Sequence, residues 1–145
     1  MFKHILIPTD GTDLSRKAVL YGFQLAKTVG ARVTALTIME PYTVASMDAM
    51  LIAETIEEHD AEVARIADRA LEQAAMAAEA ASVLAETLRE TSDQPYRAII
   101  DCALANRCDL IVMASHGRRG AAALLLGSET TKVLTHSVIP VLVYR

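Results

Sequence analysis

The chain has 145 residues, 52% of them hydrophobic and 22% charged, a composition that belongs to a globular domain and excludes a disordered one. A net charge of −4 and an aromatic content of 4% supply neither the basic face nor the stacking platforms that a nucleic-acid partner requires. The length fits one domain, residues 1–145, with a core that can stand without disulfides or metals.

The chain opens with MFKHILIP, which lacks the long apolar core of a signal peptide and is far short of a membrane span. The expectation is a cytoplasmic protein with no membrane partner. Phe2 to Pro8 reads as a strand around the buried run Ile5-Leu6-Ile7. It gives way to Pro8-Thr9-Asp10-Gly11-Thr12-Asp13, a loop of turn and capping residues. Thr12 or Asp13 suits the cap of a helix that follows, in which Leu14, Ala18, Tyr21, Leu25 and Val29 form one apolar stripe. Gly30 sits where a C-cap glycine belongs.

Arg32 to Met39 alternates, Thr34, Leu36 and Ile38 against Val33, Ala35 and Thr37, and its β-branched content favours a second strand. A strand, a helix and a strand imply a parallel pair with a right-handed crossover. Thr43 to Asp48 reads as a loop. Residues from there to about Ala80 are helical in period and uninterrupted by Gly or Pro, as one long helix or as a short helix joined to a longer one. Within it, Glu57-Glu58-His59-Asp60 has a metal-like composition, but adjacent helical positions do not face one another, so it reads as a solvated face. The methionines, Met47, Met50 and Met76 among them, read as fillers of core gaps or of a helix interface.

Val83 to Glu90 consists of good helix formers, yet the topology calls for a strand after this helix, and a strand is expected there. Thr91-Ser92-Asp93 is a turn, and Pro95 suits the first position of a helix running to about Asn106. Cys102 and Cys108, the only cysteines, are spaced for neither a redox pair nor a zinc knuckle and read as ordinary thiols on or beside this helix. Leu110 to Ala114 is a short apolar run of the kind buried on both faces of a parallel sheet. A loop, a helix from about Ser128 to His136 and a last strand from Val141 to Tyr144 complete the chain. Regular alternation predicts an α/β fold: an open five-stranded parallel sheet of order 3-2-1-4-5, helices on both faces, Rossmann-like.

In such sheets ligands bind beyond the carboxyl ends of the strands. The loop after the fourth strand runs Ala114-Ser115-His116-Gly117 and reaches Gly127-Ser128-Glu129-Thr130 at a helix start. Strand, glycine loop and helix N-terminus together cradle phosphate, because the first N–H groups of a helix have no partner within it and glycine lets the backbone approach an anion. Arg118 and Arg119 either screen phosphate charge or form a solvated loop pair. His116 reads as a turn-stabilising residue, with a phosphate contact or a general base as the alternatives. His4, His59 and His136 read as surface or structural residues.

MASHGRRG, LLLGSETTKVL and PVLVYR, with the early ILIPTDGT, resemble the universal stress protein family over essentially the whole chain. Its nucleotide-binding members carry the motif G-x2-G-x9-G-S/T, to which Ala114, Gly117, Gly127 and Ser128 correspond in spacing, with alanine in place of the first glycine. The resemblance implies that ATP is bound, with Mg²⁺ accompanying the triphosphate mainly through its oxygens. It implies that Asp10 contacts ribose or adenine, that Pro8 and Thr9 shape that pocket, and that Ile38 or Met39 offers backbone groups to the adenine edge. Gly117, Gly127, Ser128, Glu129 and Thr130 would then hold the phosphates through N–H groups and hydroxyls. It also implies a homodimer formed through the last strand, at Val141, Leu142 and Val143, an otherwise exposed edge.

The motifs of P-loop enzymes, serine hydrolases, zinc enzymes and dinucleotide-binding proteins do not occur. The function that the resemblance implies is an ATP-binding regulatory protein, a dimer whose stability or partner choice responds to the nucleotide. The alternatives are a dimeric interaction protein that binds no nucleotide, or a slow ATPase or autokinase with Ser128 or Thr130 as acceptor.

Overall fold

A computed structural model describes residues 1–41, 49–118 and 125–145, the stretch 49–54 by its backbone alone. The predicted loop Thr43–Asp48 and the residues Arg119 and Met47 lie outside the described residues, as does the side chain of Met50. Among the described residues five strands alternate with four helices: β1 (His4–Pro8), α1 (Asp13–Val29), β2 (Arg32–Met39), α2 (Ala49–Ala81), β3 (Ala85–Thr91), α3 (Pro95–Ala105), β4 (Leu110–Ala114), α4 (Ser128–His136) and β5 (Val141–Tyr144). The sheet runs β3-β2-β1-β4-β5, every neighbouring pair parallel. The predicted architecture is therefore the observed one.

Strand periodicity divides the core. Ile5, Ile7, Val33, Ala35 and Val112 face α1 and α2, where they pack with Val19, Phe23 and Ala74. Leu6, Leu36 and Ile111 face α3 and α4, among Ile99, Ala103 and Val133. Ile5, Leu6 and Ile7 are all fully buried, as a central strand covered on both sides must be. Each such aliphatic side chain contributes roughly 1.5–3 kcal/mol by leaving water.

The caps of α1 are the expected ones, and Thr12 is the residue that fills the first. Its hydroxyl accepts from the N–H of Ser15, while Asp13 pairs with Arg16, and Gly30 closes the helix at φ 71°. Pro95 opens α3. Residues 49–81 form one helix.

β3 forms against local propensity. It runs Ala85–Thr91, two residues later at its start than expected, because α2 ends in a turn. Ser82 takes a left-handed φ of 56°, and the N–H of Val83 still bonds back to Ala78 O. The strand is held by its ladder with β2, from Val33↔Ala85 to Met39↔Thr91. Leaving that side of a buried strand unpaired would forfeit a hydrogen bond at each donor and acceptor. β1 likewise starts at His4 and not at Phe2, whose ring still packs on the core. Met76 departs from its expected place: it is 70% exposed on α2, so it fills no core gap.

Candidate functional site

β1 lies between β2 and β4, so the carboxyl ends of these three parallel strands stand side by side at one edge of the sheet. After β1, the N–H of Thr9 still pairs with Leu36 O at 2.8 Å, and its side chain is buried. Thr9 Oγ1 accepts from Ser15 Oγ at 2.8 Å, which ties the loop to α1, and Pro8 is half-buried before it. Asp10 follows with a folded-in carboxylate. Its Oδ1 accepts from the N–H and hydroxyl of Thr12 at 3.0 and 2.6 Å. Its Oδ2 accepts from the N–H of Arg118 at 3.0 Å, and Arg118 Nη2 donates to the Asp10 carbonyl at 3.0 Å. Asp10 thus joins the β1 loop to the β4 loop, a contact across 108 positions of sequence.

β2 outruns β1. Leu36 turns its backbone toward β1, so Ile38, two residues on, does the same past the end of β1. Met39 faces the other way, and its carbonyl accepts from Ser92 N–H at 3.0 Å. Of the two predicted backbone edges, Ile38 is the one turned toward the loops of β1 and β4.

β4 ends at Ala114 in ordinary strand backbone, paired with Tyr144. No positive φ occurs there, so the position makes no conformational demand for glycine. The Ala114 carbonyl accepts from Thr130 Oγ1 at 3.0 Å, and that hydroxyl is buried. Ser115, buried, accepts at its carbonyl from Gly127 N–H at 2.7 Å, and its hydroxyl lies 3.2 Å from His116 Nδ1. His116 is therefore engaged with the turn, as its neighbours led one to expect.

Two glycines sit at close approaches. A Cβ at Gly117 would stand 2.6 Å from Asp10 Oδ2. One at Gly127 would stand 3.0 Å from His116 Cα, and backbone does not yield as a side chain does. Gly127 is also the N-cap of α4, so no side chain caps that helix. α1, starting from the same edge, is capped by its own Thr12. The first N–H groups of α4 belong to Ser128, Glu129 and Thr130 and stand beside the β4 loop without a side-chain cap. An anion fits there on charge and on hydrogen bonding.

Glu129 has a further role that spacing did not disclose. Its Oε2 accepts from Tyr96 N–H at 2.8 Å at the start of α3, and its Oε1 pairs with Lys132 at 3.0 Å. The side chain caps α3, while its N–H remains at the start of α4. The one signal in the sequence is Gln94 before Pro95, a poor N-cap residue that makes no side-chain cap bond here, so the N–H groups of that helix start take an acceptor from elsewhere.

The universal stress protein family matches residues 1–145. A universal stress protein of Methanocaldococcus jannaschii is 31% identical over 149 aligned positions, covering all of this chain and 83% of that protein. Among solved structures, the universal stress protein UspA from Lactobacillus plantarum has a TM-score of 0.81 at 26% identity, covering 99% of this chain and 97% of that one. A universal stress protein in complex with cAMP has a TM-score of 0.73 at 25% identity, covering 99% and 97%.

Proposed function

The chain belongs to the universal stress protein family, and on that premise we propose that it binds an adenine nucleotide, ATP in its full form, across the carboxyl ends of β1, β2 and β4. The phosphates lie against the amino end of α4, with Ser128, Glu129 and Thr130 giving backbone N–H groups and Ser128 its exposed hydroxyl. Ribose or adenine meets Asp10, and the Ile38 backbone reads the adenine edge. Arg118 supplies positive charge beside Asp10. Mg²⁺, when it accompanies the triphosphate, is held mainly by phosphate oxygens. The observation that carries this reading is the helix start with glycine as its cap, where an added Cβ at Gly127 would press on the His116 backbone at 3.0 Å. A relative with cAMP bound supports the adenine class.

The protein acts as a homodimer whose stability or partner choice responds to the nucleotide, joined along β5. That strand ends the sheet order, and Val141, Leu142 and Val143 are half-buried on it. An autokinase reading draws no support from Thr130, whose hydroxyl is buried and donates to Ala114.

Titration calorimetry with ATP, ADP, cAMP and GTP tests the reading. Adenine nucleotides are expected to bind and GTP to bind at least tenfold more weakly, with Asp10→Ala weakening ATP by about tenfold, the loss of one charge-assisted hydrogen bond. At a hundredfold excess over Kd, ATP stabilises the fold by roughly 2.7 kcal/mol, which thermal unfolding detects. No heat and no thermal shift with any of these at millimolar concentration overturns the proposal.

A further inference from the structure

At the amino ends of the strands, opposite the candidate site, side chains from three adjacent strands are hydrogen-bonded in a row. His4 on β1 is 4% exposed and Thr34 on β2 is fully buried. His4 Nδ1 lies 2.9 Å from the Asn106 carbonyl, and Nε2 lies 2.7 Å from Thr34 Oγ1. Thr34 Oγ1 in turn lies 2.8 Å from Oε1 of Glu86, an exposed residue of β3.

The hydrogens in this row can be counted. The Asn106 carbonyl only accepts, so Nδ1 carries a proton whether the ring is charged or neutral. In the neutral ring Nε2 is a lone pair, and it competes with the Glu86 carboxylate for the single hydroxyl hydrogen of Thr34. One short contact is then left with two acceptors facing each other. In the charged ring Nε2–H donates to Thr34, Thr34 donates to Glu86, and every contact holds a hydrogen.

We propose that His4, Thr34 and Glu86 form a proton-operated latch on the edge strand β3. Protonation of His4 turns the Thr34 hydroxyl to Glu86 and ties β3 through β2 to β1. Deprotonation turns the hydroxyl back to Nε2 and frees the Glu86 carboxylate to solvent. The charged groups around the ring oppose one another. Burial, the largest influence, and Arg32 of β2 disfavour the cation; the Asn106 carbonyl at the carboxyl end of α3, Glu86 of β3 and Asp109 before β4 favour it. Their balance lowers the His4 pKa from its ordinary 6.5, so the latch is open at neutral pH and closes on acidification below that value.

Nuclear magnetic resonance of the full chain tests this, with the histidine ring ¹⁵N and Glu86 carboxyl ¹³C followed from pH 8 to 4.5 in the wild type, T34V, T34S and E86Q. The neutral His4 ring is expected to carry its proton on Nδ1. The Glu86 carboxyl is expected to show a step at the His4 midpoint, lost in T34V and kept in T34S. E86Q is expected to lower the His4 midpoint by about half a pH unit, as loss of a nearby negative charge does. A neutral ring protonated at Nε2 overturns the latch, and so does a Glu86 step that survives in T34V. Glu86 is exposed, so E86Q folds even if T34V does not, and an unmoved His4 midpoint in E86Q overturns the proposal by itself.

Discussion

Single side chains at the candidate site are constrained by contacts a few tenths of an ångström from collision. At Gly127 the nearest obstacle to a Cβ is the Cα of His116, at 3.0 Å, and neither partner can turn away. Gly127→Val is expected to cost about 1–3 kcal/mol, the range of overpacked sites, read as a lower urea midpoint. Because about 1.4 kcal/mol of misplacement is a factor of ten in affinity, ATP binding is expected to weaken tenfold or more. The two cysteines show the opposite situation, groups made inert by their surroundings. Burial pushes the Cys102 thiol up to about 11 and the Cys108 thiol up to about 12, with Glu90 adding to the first and Cys102 to the second. Both remain thiols at pH 8, and the thiolate is the nucleophile. A disulfide reagent is expected to label neither in the native protein within minutes and both once urea unfolds it. Rapid labelling of the native chain would contradict the burial described.

At the scale of elements, α2 is the one whose length and composition call for explanation. Its 33 residues extend about 50 Å, against about 26 Å for the eight residues of β2. Among its described side chains, the buried ones lie in the later part. There its buried side chains are Ala67, Ala70, Ala74, Ala77 and Ala78, alanine without exception. Small side chains let the helix lie close to α1 and the sheet, and Ala70 reaches the turn at Gly11, where an added Cβ would be only 3.4 Å from its own. α1 approaches as closely, since a Cβ at Gly22 would meet Ile7 Cδ1 at 2.5 Å. The alanines are thus a packing requirement of this face. Ala74, 1% exposed amid Val19, Phe23 and Val33, is the most demanding position. Ala74→Leu is expected to destabilise the fold by about 1–3 kcal/mol through overpacking, measured by urea unfolding. An unchanged midpoint would mean that α2 sits farther from the sheet.

For the whole molecule, stability is expected to depend on pH through His4. Burial lowers the His4 pKa below its ordinary 6.5 in the folded state, so between those two values the unfolded chain binds the proton that the folded chain does not. The stability from the neutral ring is complete above pH 6.5 and is lost as pH falls through the folded value. The urea midpoint should therefore fall more between pH 7.5 and 5 in the wild type than in His4→Gln. Equal falls would assign the acid sensitivity to the carboxylates alone. This dependence arises at the amino end of the sheet, whereas ATP stabilises from the carboxyl end, so ATP should raise the midpoint by the same amount in both proteins.

The sequence by itself determined most of the alternation of strands and helices, the C-cap at Gly30, the helix start at Pro95 and the place of the glycine loop, because each follows from local periodicity or from the chemistry of a turn, while it left the cap of α1 between Thr12 and Asp13. The tertiary structure decided whatever depends on partners distant in sequence. β3 is a strand because β2 needs a second ladder, although Ala85-Glu86-Thr87-Leu88-Arg89-Glu90 would suit a helix. Glu129 serves α3 because α3 and α4 share a face of the sheet. Arg118 reaches Asp10, and His4 meets Thr34, only because the parallel order sets β1 between β4 and β2. Such contacts depend on register and on close approach between elements, and neither quantity is carried by any one stretch of chain.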